Sequence, residues 1–450
     1  MISRLGIINS NTISNMINTK QRWIGILFGV LIIVYVIFYF SRQKEDIPGV
    51  VEIYFADRVT AAHKVIIETY NKKMEGKVKV IPIDFPNFDF STNERKEILA
   101  RSLRGRGDSI DLFAVDVIWA QRFAKWCEPL DKYFTEEEIK RFVPEILESC
   151  YNEGELVAVP LDMVFGIMYY RQDLISALPN NSEIISKLNN GITWSEFIKL
   201  RKTIDPQNPF YVFTAADYEG LICVFVEFLL GIEPNYFESH GFNFNTPEAR
   251  KAVKMMVDLI YTHNVVPAEV LEFTEVPSYQ YYIRNNGYFL RGWPSYDKDF
   301  TDAPVDLEKE RQLRKIALPR FDDGKAAYVQ GGWHVMISKF SDKKEYIIDF
   351  LKYLLSDESQ ELFYKESGYL PVVNTFFEDS VYLKKYPDLV EAKKYMPNIV
   401  HRPLHVDYTR YSKIISSYLS RALRKELSVE VALKRCTDDI QLDQIMSPNF

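Results

Sequence analysis

The run from Trp23 to Phe40, eighteen residues without one charged side chain, constrains this chain more than any other segment. At ~1.5 Å per residue a helix of that length reaches roughly 27 Å, enough to cross the hydrocarbon core of a bilayer. Trp23, Tyr35 and Tyr39 supply interfacial aromatics, and Arg22 and Arg42 bracket the run. Residues 1–22 carry Arg4, Lys20 and Arg22 and no acid, which keeps them in the cytoplasm, whereas Arg42 and Lys44 are answered by Glu45 and Asp46. A cleaved signal peptide is the competing reading. Ser41-Arg42-Gln43-Lys44 offers no small-x-small cleavage site, however, and the run is long for a signal core. A lipoprotein would need a cysteine just past the run, and the first cysteine is Cys127. The sequence therefore predicts a cytoplasmic leader, 1–22, an uncleaved transmembrane anchor, 23–40, and an extracytoplasmic remainder.

With the anchor removed, some four hundred of the 450 residues remain, room for two or three domain-sized units. The formal net charge of −7 includes the basic leader, so the exported part is more acidic still and nucleic acid is excluded as a partner. Cys127, Cys150, Cys223 and Cys436 form no CxxC or Cys/His cluster, and the histidines show no ligand spacing, so neither a metal nor a cofactor is expected. Outside the membrane Cys127 and Cys150 either pair or remain, with the others, buried thiols. The 28 Tyr and 6 Trp suit a large core and also a site that stacks on sugar rings.

The chain past the anchor alternates strand and helix. A strand at Val51–Phe55, a helix at Ala61–Lys73, a strand at Val78–Ile83, a helix at Asn93–Leu103 and a strand at Ile110–Val115 precede a helix opening near Ile118. Alternation of this kind predicts a mostly parallel sheet covered by helices, with ligands at the carboxyl ends of its strands, after Phe55 and Val115. A strand at Phe165–Tyr170 follows, then a helix capped by Thr193 or Ser195, helices at Leu221–Leu230 and Pro247–Tyr261, and a strand at Gly287–Leu290. Leu221–Leu230 is too short to span a membrane and reads as a core helix. A glycine-rich segment, Val329–Ile337, an amphipathic helix, Lys343–Leu355, and a helical tail from Tyr408 complete the chain.

No phosphate-binding loop, GxSxG, HExxH or dinucleotide fingerprint is present, which argues against a hydrolase or kinase. The neighbouring acids Asp322 and Asp323 read as a solvated turn before Gly324. Asp116 directly follows the apolar strand, where a carboxylate can accept hydrogen bonds from adjacent hydroxyls. Trp293 lies between a strand and a proline, and Trp333 follows Gly331 and Gly332, which let a ligand approach the backbone closely. Indole faces stack on the C–H faces of pyranose rings, while carboxylates and guanidinium groups hold the hydroxyls.

These segments, taken in order, resemble the extracellular solute-binding proteins of family 1 that serve ABC-type sugar importers, in particular the trehalose/maltose-binding branch. The resemblance rests on Asp116-Val117-Ile118-Trp119 with Trp126 and Glu128-Pro129-Leu130-Asp131, on Tyr169-Tyr170-Arg171-Gln172-Asp173-Leu174, and on Tyr218-Glu219-Gly220-Leu221. It continues through Gly292-Trp293-Pro294, Gly331-Gly332-Trp333-His334, Ile337-Ser338-Lys339 and Arg402-Pro403. It implies a periplasmic-binding-protein-like α/β fold of two lobes, one of residues 48–160 and 335–371 and the other of 161–334 and 372–450, with the ligand cleft between them. It implies a hydroxyl-binding Asp116, stacking Trp293 and Trp333, close approach at Gly332, and sugar-facing Arg402 and Arg95. Asp162 and Val164 replace the branch's tyrosine and aspartate. Ser295 replaces another tyrosine, for which Tyr296 substitutes, and Asp57 and Arg58 stand in for the acid of the first loop. A carbohydrate other than trehalose or maltose follows from these departures. The expected function is a non-enzymatic, membrane-tethered receptor that delivers a mono- or oligosaccharide to ABC permease subunits. The alternative is a sensory ectodomain coupled to a signalling partner.

Overall fold

The computed structural model describes residues 49–85, 92–106, 110–204, 207–299 and 306–446. The expected leader and anchor lie outside them. Among the described residues no helix is long and apolar enough to cross a membrane.

From Glu52 onward the chain forms one compact unit. It opens with β1 (Val51–Asp57), β2 (Val78–Asp84) and β3 (Leu112–Asp116). The helix Ala61–Lys73 between β1 and β2 starts where Thr60 caps it, with the His63 ring reaching back to the Thr60 N–H. Strand β3 is buried over Leu112–Val115, as a strand covered on both faces must be. After it the expected helix near Ile118 is a 3₁₀ turn, Val117–Trp119, followed by four helical residues, Ala120–Phe123. A hairpin, β4 (Tyr151–Asn152) and β5 (Glu155–Leu156), leads to β6 (Val159–Pro160).

The expected strand Phe165–Tyr170 is broken into β7 (Val164–Phe165) and β8 (Ile167–Arg171). The break is at Gly166, where a Cβ would collide with the carboxylate of Glu227. Next come β9 (Tyr211–Val212), β10 (Phe289–Gly292), β11 (Leu313–Ile316), β12 (Tyr328–Gly331), β13 (Trp333–Ile337) and β14 (Ile399–Val400). Of the helices between them, Glu219–Ile232 is buried over all but its last residue, a core helix as its sequence predicts.

The first sheet runs β2-β1-β3-β13-β6, the second β11-β8-β10-β9, and a third, smaller one β14-β12-β7. The expectation of mostly parallel sheets is corrected. β1 and β3 are parallel, but β13 lies antiparallel to both β3 and β6, and β8 antiparallel to both β10 and β11. Parallel neighbours need a long crossover, whereas β13 enters the first sheet directly from β12 across a single glycine. That glycine, Gly332, has φ +111°, and a Cβ on it would fall 2.6 Å from the Asp162 carbonyl oxygen. The chain thus passes directly between the first and third sheets at two adjoining points, through Leu161–Met163 and through Gly332, and Met163 also bridges to Leu370.

The four cysteines are free and buried, so the pairing of Cys127 with Cys150 is not formed. Cys150 lies 3.5 Å from the Nε2 of His334, which is itself 2.7 Å from Ser149 Oγ. Burial pushes the His334 pKa down to about 3, so the native imidazole stays neutral while the unfolded one protonates near 6.5. Because the unfolded state then binds the extra proton, this residue removes stability as pH falls below 6.5, and about 2 kcal/mol is expected to be gone by pH 5. Urea unfolding of the protein and of His334→Gln at pH 7 and pH 5 checks this. The wild type should lose more on acidification than the variant, and equal losses would refute the assignment.

Candidate binding cleft

The ends of β1 and β3, the crossing segments and the end of β10 enclose a cleft of about 540 Å³, within the usual size range for small-molecule sites. All nine residues singled out from the sequence line it: Asp57, Arg95, Asp116, Asp162, Trp293, Tyr296, Gly332, Trp333 and Arg402. Loops that are 345 residues apart in sequence, counting from Asp57 to Arg402, are brought together by the two crossings.

Asp116 ends β3, and its Oδ1 accepts from the Ile118 N–H at 3.1 Å and from Arg402 Nη2 at 2.7 Å. Arg402 is buried, and its Nη1 donates to Glu219 Oε1 at 3.0 Å. The Tyr408 hydroxyl donates to the same oxygen. Burial opposes the Arg402 charge, but the carboxylates of Asp116 and Glu219 more than offset it and hold the guanidinium protonated. Glu219 was not among the expected site residues, although it lies in the Tyr218-Glu219-Gly220-Leu221 motif. An acid opening an otherwise apolar segment is the signal that marks it.

Asp57 ends β1. It bonds Arg95 Nη2 at 2.8 Å through Oδ1 and faces His63 Nε2 at 3.1 Å through Oδ2. Burial alone would raise its pKa, but His63 and Arg95 bring it below the ordinary aspartate value. Asp57 and Arg95 therefore bond each other within the cleft wall. The guanidinium carbon of Arg95 also lies 3.9 Å from the ring centroid of Trp333. Asp162 Oδ1 accepts the Trp333 backbone N–H at 3.2 Å, which fixes where β13 begins.

Trp293 repeats the arrangement. The guanidinium carbon of Arg291 lies 4.0 Å from the Trp293 ring centroid, and two of the guanidinium nitrogens donate to Glu227, Nη2 to Oε1 at 2.7 Å and Nε to Oε2 at 3.1 Å. The indole edge rests on Gly331, where a Cβ would come within 3.2 Å of two ring carbons. Both tryptophans are half-buried. Tyr296 is buried and stacked parallel to Tyr169, centroids 6.3 Å apart, so it supports the wall. Glu275, half-buried in the same wall, has its pKa raised by burial, and nothing in its sequence context announces it.

Away from the cleft, Glu233, His240 and Glu248 present potential ligand atoms within 4.8 Å of one another, and this is the one grouping among the described residues able to hold a metal. Glu233 follows one helix, His240 ends a second and Glu248 opens a third, so no spacing along a single element marks the three as a group in the sequence.

The sequence model of the bacterial extracellular solute-binding proteins matches residues 54–361. The chain belongs to that family. It is a family of binding proteins, not of enzymes. A probable ABC transporter-binding protein of Deinococcus radiodurans is 25% identical over 386 residues, covering 82% of this chain and 86% of the relative. Among solved structures, maltose-bound T. maritima MalE3 superposes with a TM-score of 0.77 at 26% identity, over 87% of this chain and 99% of that one. An ABC transporter solute-binding protein of Thermotoga lettingae bound to α-D-tagatose gives a TM-score of 0.73 at 21% identity, over 87% and 98%. These similarities establish the two-lobe α/β periplasmic-binding-protein-like fold.

Proposed function

We propose that this solute-binding protein is the membrane-tethered receptor of an ABC-type importer, taking a mono- or oligosaccharide into the cleft and presenting it to permease subunits. The observation that carries the reading is the pair of half-buried indoles, Trp293 and Trp333, in a wall otherwise rich in carboxylates. Flat apolar faces beside hydrogen-bond acceptors fit the two surfaces of a sugar ring. The names of the relatives, one an ABC transporter-binding protein and two bound to sugars, agree with it.

In this reading residues 48–160 and 335–371 form one lobe and 161–334 and 372–450 the other, and the crossings at 161–163 and 332 flex as the lobes close. A ligand that touches both lobes stabilises the closed form because only there does it make both sets of contacts. The helix 23–40 keeps the receptor beside its permease, outside the cytoplasm, and raises its local concentration there.

Calorimetry of the full chain, solubilised in a detergent without a sugar headgroup, against a panel of mono- and oligosaccharides tests the reading. Saturable binding of at least one sugar is expected. Binding of amino acids or peptides in place of every sugar would overturn it. The intact mass of the membrane-extracted protein tests the tether, since loss of the first forty or so residues would mean a cleaved signal.

A further inference from the structure

Glu233, His240 and Glu248 come from three helix ends that a buried tyrosine ties together. Glu233 directly follows the helix Glu219–Ile232, and its N–H donates to the Leu229 carbonyl at 3.0 Å. His240 ends the short helix Tyr236–His240, after which Gly241, at φ +55°, turns the chain. Glu248 is the second residue of the helix Pro247–Tyr261, which Thr246 caps by accepting the Ala249 N–H at 3.2 Å.

The tyrosine is Tyr236. Its N–H donates to the Glu233 carbonyl at 3.1 Å, and its hydroxyl donates to the Asn243 carbonyl at 2.6 Å and lies 2.9 Å from Thr246 Oγ1. Its buried ring lies 4.8 Å from the His240 imidazole and stacks parallel to Phe244 at 6.2 Å. The backbones that carry the three side chains are therefore fixed by hydrogen bonds in which neither carboxylate takes part. A site whose donors are placed by the surrounding fold loses little freedom when an ion arrives.

His240 Nε2 stands 3.2 Å from Glu233 Oε2, and an oxygen of Glu248 completes a group of ligand atoms all within 4.8 Å of one another. Around a tetrahedral zinc ion, donors at about 2.0–2.2 Å from the metal stand roughly 3.4 Å from one another. Glu233 and His240 are already near that separation, and Glu248 reaches it by rotation about its own side-chain bonds. All three side chains are half-buried, so an ion can enter from solvent. One imidazole nitrogen with two carboxylate oxygens is a mixed donor set, in which the imidazole favours transition ions over magnesium and calcium.

We propose that Glu233, His240 and Glu248 bind one divalent first-row transition-metal ion, of the zinc(II) type, as a staple on the turn 233–248. The three side chains supply three ligands and water completes the coordination. An ion that joins both ends and the middle of the turn restricts the unfolded chain as a cross-link does and adds its binding free energy to folding. The helix Glu219–Ile232, 14 residues long, sets the site roughly 21 Å from Glu219 in the cleft wall, so the ion's role is structural. The proposal is independent of the glycan reading. It departs from the expectation of no metal, which rested on spacing within single elements and could not register three helix ends meeting.

The test titrates the full chain, in a detergent without a sugar headgroup and freed of chelator, with zinc chloride by calorimetry. One equivalent with a Kd on the order of micromolar or tighter is expected. His240→Gln and Glu248→Gln lie on different helices and should each weaken it at least tenfold, with native far-ultraviolet circular dichroism. Zinc at a hundredfold excess over its Kd should raise the unfolding midpoint of the wild type by about 2 °C or more and that of either variant by less. Cobalt(II), a coloured surrogate, should show no thiolate charge-transfer band; such a band would move the ion to a cysteine. Equal zinc affinity in the wild type and both variants, or no saturable equivalent at all, would refute the site. Calcium binding tighter than zinc would refute the choice of a transition ion.

Discussion

Trp333→Ala and Trp293→Ala are each expected to weaken glycan binding by about 2 kcal/mol or more, a loss of roughly thirtyfold, which is the scale for truncating a buried aromatic anchor. Each indole offers a large apolar face at small conformational cost, and among the described residues no other aromatic in the wall presents a comparable half-exposed ring attached to a crossing segment or strand end. Folding should survive. Arg95 keeps Asp57, and Arg291 keeps Glu227, when the ring in front of either is removed. Calorimetry with the best-binding sugar of the panel reads the effect, and circular dichroism confirms the fold. Native affinity in a folded variant would assign that tryptophan to packing alone. The two losses will not add simply, because both rings border the diglycine Gly331-Gly332 and share one cleft.

The largest effect on stability is expected from Arg291→Met, which strands Glu227 in the core at a cost of about 3–5 kcal/mol. Glu227 is 8% exposed, presses on Gly166 where β7 and β8 part, and loses its two-atom contact when the guanidinium goes. Burial already pushes its carboxyl pKa up, and Arg291 is the main counterweight. Without that counterweight the folded-state pKa rises further above the unfolded value. A group raised in this way stabilises the fold below its unfolded pKa and loses that contribution as pH rises, so the variant should be relatively more stable at pH 5 than at pH 8. Adding Glu227→Gln should recover most of the loss and flatten the pH response. Urea unfolding of the wild type, the single and the double variant separates the cases. A single variant as stable as the wild type would mean that the pair contributes nothing.

Local chemistry made the elements legible. Ala61–Lys73 and Pro247–Tyr261 have the bounds expected of them because Thr60 and the Thr246-Pro247 step start those helices by their own hydrogen bonds and fixed torsion. The next cap was open between Thr193 and Ser195 in the sequence, and it is Thr193, with Glu196 reaching back to it. Strand direction was not, since the antiparallel entry of β13 depends on where β12 ends and which sheet lies nearest. The break at Gly166 depends on a carboxylate 61 residues later. At the site, residue types at strand ends were enough to nominate Asp116, Trp293 and Trp333. The commitments of the arginines were hidden, because Arg95 bonds an acid 38 positions away, Arg291 one 64 away, and Arg402 acids 183 and 286 away. No local pattern encodes those pairings.

Gly332 joins two sheets in a conformation that side chains rarely adopt, beside the Asp162 carbonyl, and it hands the chain directly to Trp333. One residue therefore serves both as a direct link between two sheets and as the base from which an indole projects into the cleft. A scaffold built this way is poorly evolvable at its centre, because a substitution at 331–333 would alter the recognition surface and the motion together. New ligand preferences should arise in the surrounding shell, at positions such as Val164, Glu275 and Ser295, whose side chains face the cleft without carrying a crossing between sheets. A library aimed at changing what this receptor recognises would keep the diglycine and its tryptophan constant and randomise those three.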